Sequence, residues 1–212
     1  MELNSTVRRL RDWLVLVFST AKSITSSRGP RTDRLPLVHV LFVCTGNICR
    51  SPTAERLAVA YAEQHGILDF TAFSAGTRAV IGHPIHPEAA HVLEQSGADA
   101  SNFAARQLKP KIAAAADLII TMTSAHRDIV LEAAPRQLQR TFTLTEASHL
   151  AAMEDAKILA DLAGLRPRLS ANEKLDIPDP IGQSPEVFAV IGAQIADLLQ
   201  PIMELCRRTI RA

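Results

Sequence analysis

The sequence predicts a three-layer, Rossmann-like α/β sandwich with a four-stranded parallel sheet. Short apolar, β-branched runs alternate along the chain with longer segments in which apolar residues recur at helical spacing. Such alternation is typical of parallel sheets, whose strands are connected by helices on both faces. A loop of polar and small residues joins the first run to the first helical segment, at 44–50. Ligands of such sheets bind beyond the carboxyl ends of the strands, so this loop is the predicted site.

Four runs predict the strands, and each ends where polar or small residues begin. The first run, 37–43, is apolar and β-branched throughout, which is typical of a strand buried on both faces. The other strands are predicted at 70–74, 117–122 and 140–144.

The predicted helices follow these strands. Ser51 and Pro52 suit the start of the first helix, and the next helices are predicted at 87–97, from the third strand to about 134, and at 145–164. Residues 166–176 and 179–183 are predicted loops, and Ser184 and Pro185 open the last helix. Pro201 is expected to kink or break that helix. Its buried face is predicted from apolar spacing: Val187, Val190, Ile191, Ile195, Leu198, Ile202 and Leu205.

Composition narrows the function classes. The chain has 212 residues, of which 47% are hydrophobic and 21% charged, as is typical of a globular protein with a sizeable core. Basic residues exceed acidic ones by only 23 − 22 = +1, and aromatic residues make up 4%. Neither a basic surface nor a stacking platform for nucleic acid is therefore indicated.

Cysteine usage and apolar runs bear on the compartment. Cys44, Cys49 and Cys206 are too few for a disulfide scaffold, which favours a reducing cytoplasm. No uninterrupted apolar run reaches the roughly 20 residues of a membrane helix.

Residues 1–35 are predicted to be an N-terminal extension and linker before the main domain at 36–212. Residues 19–36 are rich in Ser, Arg, Gly and Pro, as linkers are. A poorly ordered extension or a misplaced start, a helix on a membrane surface or partner, and a signal peptide stay open as interpretations. Apolar residues near the start fall close to helical spacing and predict a short amphipathic helix: Val7, Leu10, Leu14, Val17 and Phe18.

The loop after the first strand combines a nucleophile, an anion cradle and a guanidinium. Backbone N–H groups in a turn that opens a helix converge on one point, and the helix dipole adds positive potential there. Gly46 can supply a left-handed conformation and Asn47 can tolerate one. The thiol of Cys44 is favoured as a thiolate beside that potential, and Ser51 can donate a hydrogen bond to it. Because Arg50 can hold two phosphate oxygens at once, the pattern favours phosphoryl transfer through a cysteinyl phosphate.

The spacing of the two cysteines and the glycine bears on three other interpretations of this loop. Cys44 and Cys49 as metal ligands would have an unusual spacing and lack a second Cys/His pair, so no metal is predicted. A nucleotide-binding Walker loop is excluded, because no lysine follows the glycine at the required spacing. Two inert core thiols remain an alternative.

The loop resembles the signature of the bacterial low-molecular-weight protein-tyrosine phosphatases. Val43–Pro52 carries the Cys-x5-Arg-Ser pattern with an internal Asn and a second Cys. Ser74–Thr77 resembles the second-strand motif of that family, Ala105–Leu108 its Ala-Arg-Gln-Leu segment, and Asp179-Pro180 its acid loop. The resemblance covers about 37–207. It implies the phosphotyrosine phosphatase I-like fold and a cytoplasmic hydrolase without a cofactor.

The resemblance also implies the roles of the site residues. Cys44 is the nucleophile, Arg50 and the loop amides bind phosphate, and Asp179 protonates the leaving oxygen and then activates water. The implied partner is a phosphorylated protein, with a tyrosine kinase as one candidate. Ser74 supports the loop. The remaining phosphate-binding residues are those of the loop: Thr45, Gly46, Asn47, Ile48, Cys49 and Ser51.

Several points depart from the family pattern or stay open. Asp176 is a rival acid, although a solvated loop residue is the interpretation preferred here. Phe103 stands where a supporting His is common, and Ile181 stands where tyrosine-specific members carry an aromatic residue. Cys44 and Cys49 are expected to be able to form a reversible disulfide, as in the family.

Three rival functions follow from these departures. A protein-arginine phosphatase would carry Thr at the position of Ile48 and Phe after the Asp-Pro pair. An arsenate reductase would need two further neighbouring cysteines, and only Cys206 remains. A phosphoprotein-binding module without turnover is the non-enzymatic alternative.

Overall fold

The computed structural model describes residues 37–170 and 176–212. Within them, the strands form one parallel sheet in the order β2-β1-β3-β4. The predicted fold class is confirmed, and each strand lies within two residues of its prediction: β1 (Val38–Cys44), β2 (Phe70–Gly76), β3 (Leu118–Thr121) and β4 (Thr141–Thr143). The predicted extension at 1–35 lies outside the described residues.

Helices connect the strands and close the chain. Short 3₁₀ turns lie at Pro135–Arg140, Leu159–Asp161 and Arg166–Arg168. The α-helices of the described segments are α1 (Arg50–Gln64), α2 (Pro87–Gln95), α3 (Pro110–Ala114), α4 (Ser124–Ala133), α5 (Leu144–Ala151), α6 (Leu162–Leu165) and α7 (Pro185–Arg211).

Two apolar clusters occupy the two faces of the sheet and account for the three layers. Val40 and Phe42 of β1 point into the larger cluster, together with the apolar faces of α1, α2, α5 and α7. Leu41 and Val43 point to the opposite face, where α3 and α4 cover them. Because side chains alternate along a strand, a strand covered on both faces reads as one continuous apolar run. This explains the sequence of residues 37–43.

The segment 145–164 was predicted as one helix, and that prediction was wrong. The helix α5 ends at Ala151, and α6 begins only at Leu162. Asp161 supplies a physical reason, because its carboxylate accepts the N–H groups of Lys157 at 2.8 Å and Ile158 at 2.9 Å. These bonds fix a turn where a continuous helix would need other partners. The short helix α3 was not predicted.

The last helix corrects two further expectations. Pro201 lies inside α7, so the helix is not broken there, whereas a kink at Pro201 stays a prediction. Val190 is half-exposed rather than buried. Residues on both sides of Pro201, including Leu199 and Ile202, are buried in the same cluster, so packing offsets the lost hydrogen bond. The helix also has the length and mean hydropathy, 1.3, of a membrane span, but it packs here as a core helix against α1, α2 and α5.

The strand order places the predicted site. Chain connections leave β1 toward β2 on one side and reach β3 on the other, so the carboxyl ends of β1 and β3 form the topological switch point of the sheet. The loop after β1 and the first turn of α4 both lie at this end.

Candidate active site

The loop at residues 44–50, called the cysteine loop below, is held by its carbonyl groups. Segment 77–86 donates backbone N–H groups to four of them, at N···O distances of 2.7–2.9 Å: those of Cys44, Thr45, Gly46 and Ile48. Within the described parts of the chain, the N–H groups of residues 45–49 donate no backbone hydrogen bond. This arrangement leaves a row of N–H donors without a backbone partner, and the binding of an anion to them stays a prediction.

Asn47 provides the left-handed turn of the loop. Its φ is 54°, whereas Gly46 has no positive φ, so the left-handed residue is Asn47 alone. Asn tolerates this conformation better than other residues with a Cβ. The side chain of Asn47 can then form hydrogen bonds inside the loop.

A chain of hydrogen bonds runs from Asn47 to the thiol. Its Nδ2 donates to Ser51 Oγ at 3.0 Å and to Ser74 Oγ at 2.8 Å, and its Oδ1 accepts the N–H of Arg106 at 2.8 Å. Ser51 Oγ lies 3.0 Å from Cys44 Sγ. Because Ser51 already accepts from Asn47, its own proton is available to the sulfur. A hydroxyl aimed at the sulfur stabilises the thiolate.

The sequence offers Ser51 two roles, at the start of α1 and as a hydrogen-bond donor to Cys44, and the structure shows the second. The helix begins one residue earlier, at Arg50, and the residue before it, Cys49, makes no side-chain cap. The Ser51 hydroxyl bonds to Cys44 instead. Its role in this structure is therefore in the site rather than in helix capping.

Ser74 remains part of this network despite Phe103. Its hydroxyl donates to Glu55 Oε2 at 2.6 Å, a residue that the sequence analysis did not single out. Burial raises the pKa of Glu55, with the Ser74 hydrogen bond opposing that rise. The guanidinium of Arg56 lies 5.7 Å from the centre of the Phe103 ring. A carboxylate thus supports Ser74 directly in this chain.

Arg50 lies between the cysteine loop and the loop at 176–183, called the aspartate loop below. It is buried, donates to the carbonyl of Ile177 at 3.0 Å, and pairs with the carboxylate of Asp179. The other carboxylate oxygen of Asp179 accepts the N–H of Ile181 at 3.2 Å. The predicted guanidinium and the predicted acid are therefore in direct contact, although 129 positions separate them in sequence.

The other two cysteines are buried thiols. Burial, followed by the nearby Cys44, raises the pKa of Cys49 to about 12, so this group stays protonated. Burial likewise raises the pKa of Cys206 to about 12, and this residue lies on α7. The disulfide between Cys44 and Cys49 stays a prediction; both thiols are free in this structure.

His126 is a site residue to which the sequence pattern assigns no role. Its Nε2 lies 2.8 Å from Thr45 Oγ1 and its Nδ1 2.8 Å from Thr123 Oγ1. Thr123 Oγ1 also accepts the N–H of His126 at 3.2 Å. All three contacts are satisfied when Thr123 donates to Nδ1 and Nε2–H donates to Thr45.

The imidazole of His126 is expected to make stability depend on pH. Burial, and next the charge of Arg50, lower its pKa to about 4, while Asp176 and Asp179 act in the opposite direction. Between about pH 6.5 and about 4, the unfolded chain binds a proton that the native state excludes, so the free energy of unfolding falls as pH falls. Urea unfolding at about pH 7 and about pH 5 measures this slope, and His126→Gln is expected to reduce it.

His91 provides the control for that experiment. It is exposed on α2, and His91→Gln is expected to leave the slope as in the unmodified protein. An equal slope in the His126→Gln and His91→Gln variants would contradict the buried, neutral state of His126.

Gly76, at the end of β2, lies close to the cysteine loop, and this close approach leaves no room for a side chain. A Cβ there would lie 2.5 Å from the carbonyl oxygen of Thr45 and 3.0 Å from the Cα of Ala79. Gly76→Ala is therefore expected to push the cysteine loop out of place and to cost about 1–3 kcal/mol of stability. Denaturant unfolding measures this cost. In the control Gly164→Ala, the added Cβ meets nothing within 4 Å, so stability should be unchanged or slightly higher.

A nucleophilic thiol, a buried guanidinium and a carboxylate at the switch point of a parallel sheet are the parts of a cysteine-dependent phosphatase. The family model described as low molecular weight phosphotyrosine protein phosphatase matches residues 39–161, more than half of the chain. The protein belongs to the low-molecular-weight phosphotyrosine protein phosphatase family.

Relatives in this family fall into two named groups. The protein-arginine-phosphatase of Geobacillus stearothermophilus is 36% identical over 165 residues, which are 78% of this chain and 93% of that protein. The low molecular weight protein-tyrosine-phosphatase Wzb of Escherichia coli K12 is 30% identical over 153 residues, which are 72% of this chain and 84% of that protein.

Solved structures show the same division. A low molecular weight protein tyrosine phosphatase from T. tengcongensis superposes with a TM-score of 0.64 at 30% identity, covering 79% of this chain and 98% of that one. The YwlE arginine phosphatase from Geobacillus stearothermophilus gives a TM-score of 0.62 at 28% identity, covering 79% and 91%.

Proposed function

We propose that this protein hydrolyses phosphotyrosine on proteins through a cysteinyl phosphate formed on Cys44. The observation that carries the proposal is the position of Arg50. Its buried guanidinium touches the aspartate loop at Asp179 and Ile177, and it belongs to the same seven-residue loop as the thiol. A phosphate seated on the loop N–H groups would therefore meet the thiol, the guanidinium and a carboxylate together.

The reaction proceeds in two displacements. In the first, the Cys44 thiolate attacks phosphorus, the bond from phosphorus to the aryl oxygen breaks, and Asp179 gives its proton to that oxygen. In the second, Asp179 takes a proton from water, the water oxygen bonds to phosphorus, and the S–P bond breaks. Inorganic phosphate leaves, and the Cys44 thiolate is regenerated with the hydrogen bond from Ser51.

Because Arg50 contacts Asp179, the binding of phosphate to Arg50 also changes the surroundings of Asp179. Phosphate oxygens compete for the guanidinium donors that Asp179 holds in this structure. Once Arg50 turns to the phosphate, Asp179 loses its cation and faces a new negative charge. The carboxyl group is then released from the guanidinium and can serve the leaving oxygen as general acid.

Arginine phosphatase activity is the second candidate, because a relative of that name matches nearly along its whole length. Ile48 favours the tyrosine side, since it fills the position at which Thr marks arginine phosphatases. Ile48 Cγ1 and Val80 Cγ2 lie 3.4 Å and 3.6 Å from where a Cβ of Gly46 would stand. We expect an apolar side chain at this position of the cysteine loop to suit an aromatic ring better than a guanidinium.

Hydrolysis of matched peptides that carry phosphotyrosine or phosphoarginine tests this choice. We expect a higher kcat/KM for the phosphotyrosine peptide, and we expect Ile48→Thr to shift the ratio toward phosphoarginine by about tenfold. A preference for phosphoarginine in the unmodified protein would replace the proposed substrate by the second candidate. A lack of turnover on both, with phosphate still bound, would favour the phosphoprotein-binding module.

Partner and compartment follow from this function. We propose a phosphorylated protein as the partner, with a tyrosine kinase as one candidate, and the bacterial cytoplasm as the location. The free, buried thiols of Cys49 and Cys206 suit a reducing compartment. Cys44 acts as a thiolate, and a reducing compartment protects that thiolate from oxidation.

A further inference from the structure

The first turn of α4 contacts both loops of the site. On one side, the N–H of Ser124 donates to Asp176 Oδ1 at 2.7 Å, and the Ser124 hydroxyl lies 3.3 Å from Asp176 Oδ2. On the other side, His126 lies 2.8 Å from Thr45 of the cysteine loop. Two residues of one helical turn thus hold two loops that come from opposite ends of the chain.

We propose that this turn sets the distance between the cysteine loop and the aspartate loop, and that Asp176 and His126 are positioning residues of the reaction. Asp176 acts through Asp179, and His126 acts through Thr45. The inference rests on the proposed function, which assigns Asp179 as the general acid.

Asp176 is suited to anchor the start of the aspartate loop. A carboxylate at a helix N-terminus meets unpaired N–H groups and the positive end of the helix dipole. The next residue, Ile177, is buried, and its N–H donates to the carbonyl of Met122 at 2.8 Å. The hydrogen bonds with Ser124 and Met122 hold the start of the aspartate loop against the residues that follow β3. They lie just before Pro178 and Asp179. The sequence favours a solvated loop residue at position 176. Asp176 is exposed, but its hydrogen bonds to Ser124 give it a second role.

His126 is suited to hold the cysteine loop because both ring nitrogens are engaged. Thr123 fixes the ring through Nδ1, and Nε2 reaches Thr45. The lowered pKa of the imidazole keeps it neutral at neutral pH. It therefore holds Thr45 by a hydrogen bond without adding a second cation next to Arg50.

The two residues are expected to affect different quantities. A displaced acid matters more when the leaving oxygen is a poor leaving group, because proton donation then contributes more to the barrier. Loss of Asp176 should therefore steepen the dependence of kcat/KM on the leaving-group pKa. A loosened cysteine loop instead weakens phosphate binding for every ester alike. A general loss of stability would change neither the slope nor the phosphate affinity of the folded fraction.

The test uses a series of aryl phosphates and the inhibition constant of inorganic phosphate. In Asp176→Ala, we expect kcat/KM to fall about tenfold for phenyl phosphate and less for p-nitrophenyl phosphate, with phosphate inhibition within about twofold of the unmodified protein. Asp176→Asn keeps an oxygen that can accept from Ser124, so it should recover most of the loss. His126→Ala should raise the phosphate inhibition constant by about tenfold with an unchanged slope.

Asp128→Ala is the matched control, since Asp128 lies on the same helix with 72% of its side chain exposed. The inference is overturned if Asp179→Asn steepens the leaving-group dependence while Asp176→Ala behaves like Asp128→Ala. It is equally overturned for His126 if phosphate inhibition does not change in His126→Ala.

A second readout separates this inference from the proposed function. If the unmodified protein hydrolyses none of the esters, the proposed function fails. Amide hydrogen exchange at 177–182 then decides whether Asp176 anchors the loop. Faster exchange in Asp176→Ala than in Asp128→Ala supports the anchor, and equal exchange removes it.

Discussion

Replacement of Cys44 by serine is expected to lower the hydrolysis of p-nitrophenyl phosphate by at least about 10⁴-fold. Ser51 is placed 3.0 Å from the sulfur, where its hydroxyl stabilises a thiolate. A serine at position 44 would have to lose a far less acidic proton before it could attack phosphorus. Release of p-nitrophenol, measured with reductant and without added metal, quantifies the loss.

Binding should survive this change, because the anion cradle does not depend on the sulfur. Vanadate or phosphate binding to Cys44→Ser is therefore expected to remain, since the loop N–H groups and Arg50 are intact. Cys206→Ala is the control, because that thiol lies buried on α7 away from the loop. Turnover of Cys44→Ser within about tenfold of the unmodified protein would rule out covalent catalysis by this thiol.

Replacement of Asp179 by asparagine should lower kcat/KM for phenyl phosphate by roughly 10²–10⁴-fold. The amide cannot protonate the leaving oxygen, although it can still accept the N–H of Ile181. The loss should be smaller for p-nitrophenyl phosphate, whose leaving group needs less help. Because the amide carries no charge to pair with Arg50, phosphate should bind at least as tightly as before.

The dependence of rate on pH gives a separate check on Asp179. The limb of the kcat/KM profile that reports loss of the acid proton should be present in the unmodified protein and absent from Asp179→Asn. Asp128→Asn should behave as the unmodified protein in both measurements. If instead Asp176→Asn lost that limb and Asp179→Asn kept it, the rival carboxylate would be the acid.

The sequence predicted those parts of the site that lie close together in the chain. Cys44, Arg50 and Ser51 fall within eight residues, and the strand before them is apolar on both faces, so their shared loop follows from local pattern alone. Asp179 was identified through the resemblance of Asp179-Pro180 to the acid loop of the family rather than through any periodicity. Its contact with Arg50 depends on the folded chain.

The residues that were missed act over long separations. His126 and Thr45 are 81 positions apart, and Glu55 reaches Ser74 only because α1 packs beside β2. One signal was available for His126, because it lies in the first turn of the helix after β3, at the carboxyl edge where ligands of parallel sheets bind. Asp176 offered no such signal, since its partners are the backbone N–H and the hydroxyl of Ser124, 52 positions away.

The break between α5 and α6 is a feature of the fold that the sequence pattern did not predict. The Ala- and Leu-rich segment 145–164 has the composition of a helix. Asp161 nevertheless accepts two backbone N–H groups and fixes a turn. Local side-chain hydrogen bonds of this kind compete with helix propensity and are not visible in a periodic pattern.

The most direct test of the account is detection of the phosphoryl group on Cys44 during turnover. Protein mixed with p-nitrophenyl phosphate is quenched within the first turnover, under conditions that preserve an S–P bond, and its peptides are mapped by mass spectrometry. We expect one phosphoryl group on the peptide that contains Cys44, and none on that peptide in Cys44→Ser. Rapid turnover with no phosphoryl group on Cys44 at any quench time would contradict the proposed mechanism.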